Sequence, residues 1–170
     1  MLVAISLLMI LGACQRAEAN ATGPINWYQK HQNCGGKMQS PIDISTKNVV
    51  HDPFLELFNL TEYEKTSGVI MHLANVGGHT ARVLYSGTAV YIRGGSLPDK
   101  YQLDQFHFHW AKEDLTGSEH SVDWKHYPLE MHIVHHQAGM GTLQSAAARP
   151  HGLAVIAFFF KVCRRYSLST

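Results

Sequence analysis

The segment Leu153–Val162, LAVIAFFFKV, is the strongest constraint on the fold of this chain, because a strand formed from it is apolar on both faces. A strand with one face in water alternates apolar and polar residues, and this segment does not. It therefore predicts a strand in the middle of a sheet, with neighbouring strands at both edges and cover on both faces.

The preceding residues indicate the rest of that sheet. Four further short segments are rich in β-branched or aromatic side chains and are separated by Gly and Pro turn signals. No stretch shows a convincing 3.6-residue apolar period, and 170 residues are typical of one domain. The sequence predicts a single, mainly β domain with a largely antiparallel, twisted sheet. The four segments are Arg82–Tyr85, Ala89–Arg93, Leu103–Trp110 and Leu129–His136.

Charge and histidine content restrict the function. Fourteen Lys and Arg residues against 13 Asp and Glu leave a net charge of +1, so no basic excess is available for a phosphate backbone and nucleic-acid binding is disfavoured. The chain has twelve histidines, unevenly spread. That composition points towards metal chemistry.

The N-terminal residues predict export. Residues 2–13, LVAISLLMILGA, are apolar but too few to span a bilayer, and they suit the apolar core of a signal peptide over residues 1–19. Small residues at Ala17 and Ala19 predict cleavage after Ala19. The alternative is a lipid anchor through Cys14, because Leu11-Gly12-Ala13-Cys14 resembles a lipoprotein cleavage site. We favour simple secretion, and no later run is long enough for a transmembrane span.

Secretion permits disulfides and glycans. Cys34 and Cys163 remain after cleavage, and the sequence alone does not establish that they pair. Asn59-Leu60-Thr61 is a glycosylation sequon, which is a weak signal.

The segment Gln105–Trp110, QFHFHW, carries the chemistry. On a strand, His107 and His109 share a face with Gln105, while the aromatic residues form an apolar packing face. The two imidazoles lie about 7 Å apart along the strand and can bind one tetrahedral ion.

The segment Leu129–His136 supplies a third histidine. Its alternation places His132 on one face with Glu130 and Val134. If this strand runs antiparallel beside the first, His132 completes a set of three histidines. Gln105 and Glu130 are residue types that accept a hydrogen bond from the outer N–H of a metal-binding imidazole. Three histidines with an open fourth position are typical of a catalytic zinc site.

These motifs resemble those of the α-class carbonic anhydrases. The matching motifs are QSPIDI (39–44), GGH (77–79), QFHFHW (105–110), GSEHSVD (117–123), EMHIVHH (130–136) and PHGLAVIAFFFKV (150–162). The resemblance implies zinc bound by His107, His109 and His132, with Gln105 orienting His107 and Glu130 orienting His132. It also implies a carbonic anhydrase fold and the reversible hydration of carbon dioxide to bicarbonate and a proton by zinc-bound hydroxide.

The resemblance assigns further roles. Val134 and Val155 would line the apolar pocket for carbon dioxide, and His79 would be the proton shuttle. Glu119 matches the carboxylate that orients the family's gatekeeper threonine. Arg82 stands where the family usually has a polar residue on the shuttle path, and its charge would disfavour the protonated form of His79.

The family pattern ends early. The resemblance covers residues 20–162 as a partial domain, incomplete at its C-terminus, and CRRYSLST at 163–170 follows as a non-family tail. We therefore expect Leu153–Val162 to have an exposed edge and an uncovered face. The alternative to an enzyme is an impaired or inactive carbonic-anhydrase-like fragment that binds zinc or a partner without turnover. All three zinc-ligand positions keep histidine, which favours the enzyme.

Overall fold

A computed structural model of the chain describes residues 4–7, 28–29, 32–37, 39–78 and 80–162. Most of its regular structure consists of β-strands, joined by one short α-helix and short 3₁₀ turns. The elements are β1 Ala4–Leu7, β2 Asp43–Ile44, β3 Val69–Val76, β4 Thr80–Gly87, β5 Tyr91–Ile92, β6 Tyr101–Trp110, β7 Ser121–Val122, β8 Leu129–Gln137, α1 Leu143–Ala147, β9 Leu153–Phe160, and the 3₁₀ turns Gln32–Gly35 and Thr61–Glu64.

Seven of these strands form one antiparallel sheet. Its order is β1-β9-β8-β6-β4-β3, and β5 pairs with β6 beside this path. The strands β2 and β7 form a separate parallel pair. This architecture confirms the predicted mainly β, largely antiparallel fold. Among the described residues, no helix has both the length and the apolar character needed to cross a bilayer.

Strand β9 lies inside the sheet, as its two apolar faces predicted. The residues from Leu153 to Ala157 are all buried, and Ile156 belongs to a core cluster with Ile92 and Tyr101. The expectation of an uncovered face was wrong, and the edge that was expected to be exposed is paired in the chain that retains Ala4–Leu7. One edge of β9 pairs with β8, and the backbone of Ala4–Leu7 pairs with the other, so the backbone groups of Val155–Phe158 have strand partners on both sides.

The pairing of β6 with β8 positions the candidate site. The two strands are antiparallel, and His107 lies directly opposite His132. A register shift between Leu103 and Gln105 leaves Asp104 as the extra residue of a β-bulge. The carboxylate of Asp104 accepts a hydrogen bond of 2.6 Å from Nδ1 of His136.

The structure differs from the sequence predictions in three details. Strand β3 was not predicted, and the predicted strand Ala89–Arg93 narrows to Tyr91–Ile92. The aromatic face of Gln105–Trp110 was predicted as a packing surface, but Trp110 is 52% exposed while His107 on the other face is buried. On the polar face, Gln105 accepts a hydrogen bond from the buried ring of His107, as described below.

A buried histidine outside the candidate site links β8 to the 3₁₀ turn Thr61–Glu64. The imidazole of His135 accepts a short hydrogen bond from the hydroxyl of Tyr63 and donates to the carbonyl of Ala154 at 3.1 Å. Both ring nitrogens are thereby satisfied in the neutral form. Burial lowers the pKa of His135 to about 4, because the charged imidazolium loses its hydration.

This histidine predicts a loss of stability in weak acid. In the unfolded chain, His135 takes up a proton near the usual pKa of about 6.5. In the folded chain, its pKa is about 4, so it takes up the proton only at lower pH. The contribution of neutral His135 to the free energy of unfolding is therefore intact above pH 6.5 and is lost as the pH falls towards 4. Between pH 7 and pH 5 this loss is about 2 kcal/mol. Urea unfolding of the metal-free protein at these two pH values measures the loss.

The matched variant is His135→Gln, whose amide offers both a donor and an acceptor but does not titrate. His107 and His109 also lose stability in acid, but they do so equally in wild type and in His135→Gln. The difference between the stability losses of these two proteins therefore reports His135 alone. Equal losses in wild type and variant would contradict the prediction.

Candidate metal centre

Three histidines converge on the buried face of β6 and β8. The ring centres of His107 and His109 are 4.9 Å apart, and that of His132 lies 5.3 Å from the first and 4.6 Å from the second. One nitrogen of each ring lies within 4.8 Å of the corresponding nitrogens of the other two. Strand alternation and the antiparallel register thus bring together the three residues that the sequence singled out.

Two neighbouring side chains orient these rings. Nδ1 of His107 donates to Oε1 of Gln105 at 2.9 Å, and Nε2 of His132 donates to Oε1 of Glu130 at 2.7 Å. Each partner lies two residues before its histidine, on the same face of the same strand. Because one nitrogen of each ring carries the donated proton, Nε2 of His107 and Nδ1 of His132 keep their lone pairs.

The environment keeps His107 and His109 neutral. Burial, together with the neighbouring imidazoles, lowers the pKa of His107 to about 3. The same causes, burial first, lower the pKa of His109 to about 4. A histidine binds a metal only through a deprotonated nitrogen, so both rings are in the binding form at neutral pH.

Glu130 is the centre of a second layer of hydrogen-bonded groups behind the three histidines, which the sequence predicted only in part. Its carboxylate is fully buried. Oε2 accepts from the backbone N–H groups of Glu119 and His120, both at 2.9 Å, and Oε1 accepts from His132 and from Nδ1 of His120 at 2.6 Å. Burial would raise the pKa of Glu130, but the hydrogen bonds from the two imidazoles outweigh it and hold that pKa below its usual range. Glu130 is therefore a carboxylate.

His120 and Ser40 were not predicted as part of this layer. Nε2 of His120 accepts from the hydroxyl of Ser40 at 2.9 Å, which leaves Nδ1 to donate to Glu130. The histidine of GSEHSVD was the available signal. His120, Glu130 and His132 also form a cluster of potential ligand atoms, but the 2.6 Å and 2.7 Å contacts are hydrogen bonds, and ligands of one tetrahedral zinc ion are about 3.4 Å apart.

Glu119 reaches the site from the loop between β6 and β7. Its Oε2 lies 3.4 Å from Nε2 of His109 and 3.9 Å from Nδ1 of His132, and its side chain is 41% exposed. The loop is held close to β8, because a Cβ at Gly117 would lie 1.9 Å from the carbonyl oxygen of Pro128. Only glycine permits that approach.

The donor set suits a zinc ion. Nε2 of His109 is buried and has no hydrogen-bond partner among the described residues. A buried nitrogen without a hydrogen-bond partner destabilises the fold unless another group binds it. A metal ion bound through the lone pair of this nitrogen would be such a group. Three imidazole nitrogens, two of them on rings oriented by hydrogen bonds, are typical ligands of Zn²⁺.

The family model of the eukaryotic-type carbonic anhydrases matches residues 22–169. The chain belongs to this family. It is 36% identical over 146 residues to carbonic anhydrase 3 of Homo sapiens, and 36% identical over 148 residues to carbonic anhydrase 3 of Rattus norvegicus and of Mus musculus. These alignments cover 85% to 86% of this chain but 55% of each relative. The chain therefore spans about half the length of the curated relatives it matches.

The other residues that the carbonic anhydrase resemblance named lie as follows. Val134 and Val155 are directly opposite each other on β8 and β9, and both are buried in a small apolar cluster with Leu143. His79 lies outside the described residues. Arg82 lies opposite His107 on β4, where its charge helps to lower the pKa of that histidine.

Proposed function

We propose that this chain binds zinc through His107, His109 and His132 and catalyses the reversible hydration of carbon dioxide to bicarbonate and a proton. The observation that carries the proposal is the convergence of three imidazole nitrogens, one of which, Nε2 of His109, is buried without a hydrogen-bond partner in the part of the chain that the structure describes. Membership of the carbonic anhydrase family supports the reaction.

The polar residues around the histidines prepare this site. A zinc ion at the histidines would lower the pKa of a coordinated water to about 7 and so supply a nucleophile at neutral pH. Gln105 and Glu130 hold the ring protons of His107 and His132 on the nitrogens that face away from the metal position. The negative charge of Glu130 makes the free ring nitrogen of His132 more basic, and so a stronger metal ligand.

Apolar residues would bind the carbon dioxide, and a histidine would transfer the proton. Val134 and Val155 present a buried apolar surface, which suits a small molecule without hydrogen-bond donors. His79 would carry the proton between the site and the solvent, since the pKa of an unperturbed histidine lies near neutrality. The charge of Arg82 would disfavour the protonated form of His79 and slow this transfer.

The test is zinc content together with the rate of carbon dioxide hydration by the full chain. We expect one zinc per chain and a rate that azide or a sulfonamide inhibits, with the chelator-treated protein as the inactive control. A zinc-loaded, folded protein with no rate above that of buffer would overturn the proposed reaction. Folded protein that takes up no zinc would overturn the site itself.

We also propose that the chain is exported by a signal peptide over residues 1–19, with a lipid anchor through Cys14 as the alternative. The apolar composition of residues 2–13 and the small residues at Ala17 and Ala19 support export. The structure describes only Ala4–Leu7 of this segment. An exported chain that begins at Asn20 would support cleavage after Ala19, and an acylated chain that begins at Cys14 would support the anchor.

A further inference from the structure

Asn59 is an exposed asparagine in the sequon Asn59-Leu60-Thr61. Its backbone is fixed to the rest of the fold, because its N–H donates to the carbonyl of Arg93 at 2.8 Å and the two residues form an antiparallel bridge. This pairing uses only backbone groups, and the candidate metal centre does not include Asn59. A group attached to its side chain would therefore leave both the fold and the site intact.

The two ends of the Asn59 amide differ in their contacts. Its Oδ1 accepts from the backbone N–H of Thr61 at 3.1 Å and from the hydroxyl of Thr61 at 2.8 Å. A backbone N–H can only donate, so the end of the amide that it contacts is the oxygen. Nδ2 has no hydrogen-bond partner among the described residues. The nitrogen that a glycan would modify is thus on an exposed residue and is not held by the protein.

The residues around Asn59 give a reason for a covering group. Phe54, Leu55, Leu57 and Leu60 are 89%, 55%, 92% and 41% exposed. Exposed apolar side chains so close together in the chain form a surface of a kind that promotes association. A glycan is bulky and solubilising, so one attached to Asn59 would keep this segment from associating.

We propose that Asn59 carries an N-linked glycan and that this glycan covers the apolar residues beside it. The inference rests on the proposed export, because the sequon is an acceptor in secreted proteins. In the transfer, Nδ2 attacks the anomeric carbon of an oligosaccharide linked to a lipid pyrophosphate. The bond from this carbon to the pyrophosphate oxygen breaks, and the lipid pyrophosphate leaves. Nδ2 gives up one of its two protons to a base of the transferring enzyme.

The test is translation of the full chain with rough microsomes, followed by digestion with endoglycosidase H. Every chain carries Asn20→Gln, which removes the other sequon, NAT (20–22). We expect one downward step in apparent mass on digestion, from one glycan. Adding Asn59→Gln or Thr61→Ala should abolish this step, whereas Thr61→Ser keeps the hydroxyl and should retain it. The matched control is Asn48→Gln, at an exposed asparagine outside any sequon, which should also retain the step.

A second readout tests the covering role. Enzymatic removal of the glycan from the folded, exported protein should raise the fluorescence of an apolar dye such as ANS, because the apolar residues at 54–60 become accessible to the dye. The exported Asn59→Gln chain is the control. It carries no glycan at this position, so the same treatment should leave its dye fluorescence unchanged.

The outcomes separate this proposal from the export on which it rests. A chain that the microsomes protect from added protease, but that shows no step in mass, would overturn glycosylation and leave export intact. A step that persists in Asn59→Gln would place the glycan at another residue and also overturn the proposal. Dye fluorescence that does not change on removal of the glycan would overturn the covering role. A chain that the protease digests completely would overturn export and glycosylation together.

Discussion

Replacing His132 by alanine is expected to lower zinc affinity by about a hundredfold to a thousandfold. A structural zinc site with four ligands contributes about 10–16 kcal/mol, so one lost ligand removes a large share of the binding free energy. The variant also removes the imidazole that bonds Glu130, which loosens the orientation of the second layer. Zinc stoichiometry and chelator competition measure the effect, and alanine at His107 or His109 should act in the same direction.

The control is His72→Ala, which removes an exposed histidine of β3. It lowers the histidine count equally but leaves the candidate site intact, so zinc affinity should match that of wild type. Wild-type stoichiometry and affinity in His132→Ala would contradict the ligand assignment. A loss of zinc in His72→Ala as well would show that binding depends on histidine content and not on this site.

Local alternation explains why so much of the site was visible in the sequence. Which side chains share a strand face depends only on the parity of their positions. The segments QFHFHW and EMHIVHH therefore place two histidines with Gln105 and one with Glu130 on single faces. The assumption that the two strands are antiparallel neighbours was the only non-local step, and the register that joins His107 to His132 agrees with it.

Contacts between distant segments were the part that could not be predicted. His120 reaches Ser40, which lies 80 residues earlier in the chain, and no local pattern encodes that pair. The pairing of Ala4–Leu7 with β9 spans almost the whole chain. Strand β3 was missed because its sequence, VIMHLANV, does not alternate apolar and polar residues.

Glu130→Gln is expected to weaken zinc binding by about 10–100-fold and to destabilise the metal-free fold by about 2–4 kcal/mol. The carboxylate accepts four N–H groups, two at each oxygen. A glutamine amide keeps one oxygen and replaces the other by an NH₂ group, which is a donor. One pair of N–H groups then faces a donor instead of an acceptor.

An imidazole nitrogen can become an acceptor by moving its proton to the other ring nitrogen, whereas a backbone N–H can only donate. The amide oxygen therefore stays with the backbone N–H groups of Glu119 and His120, and the NH₂ group faces the two rings. His132 must then accept at Nε2 and carry its proton on Nδ1, the nitrogen that faces the candidate metal position. Zinc binding requires that proton to return to Nε2, against the amide donor, and this cost appears as lost affinity.

The proton on His132 distinguishes this mechanism from a general loss of structure. Nitrogen chemical shifts of the metal-free protein should show the Nε2–H form in wild type and the Nδ1–H form in Glu130→Gln. Glu64→Gln, the same chemical change at an exposed carboxylate, should alter neither the tautomer nor the zinc affinity. A variant that unfolds more easily but keeps the Nε2–H form and the wild-type zinc affinity would show that Glu130 supports the fold without orienting the ligand.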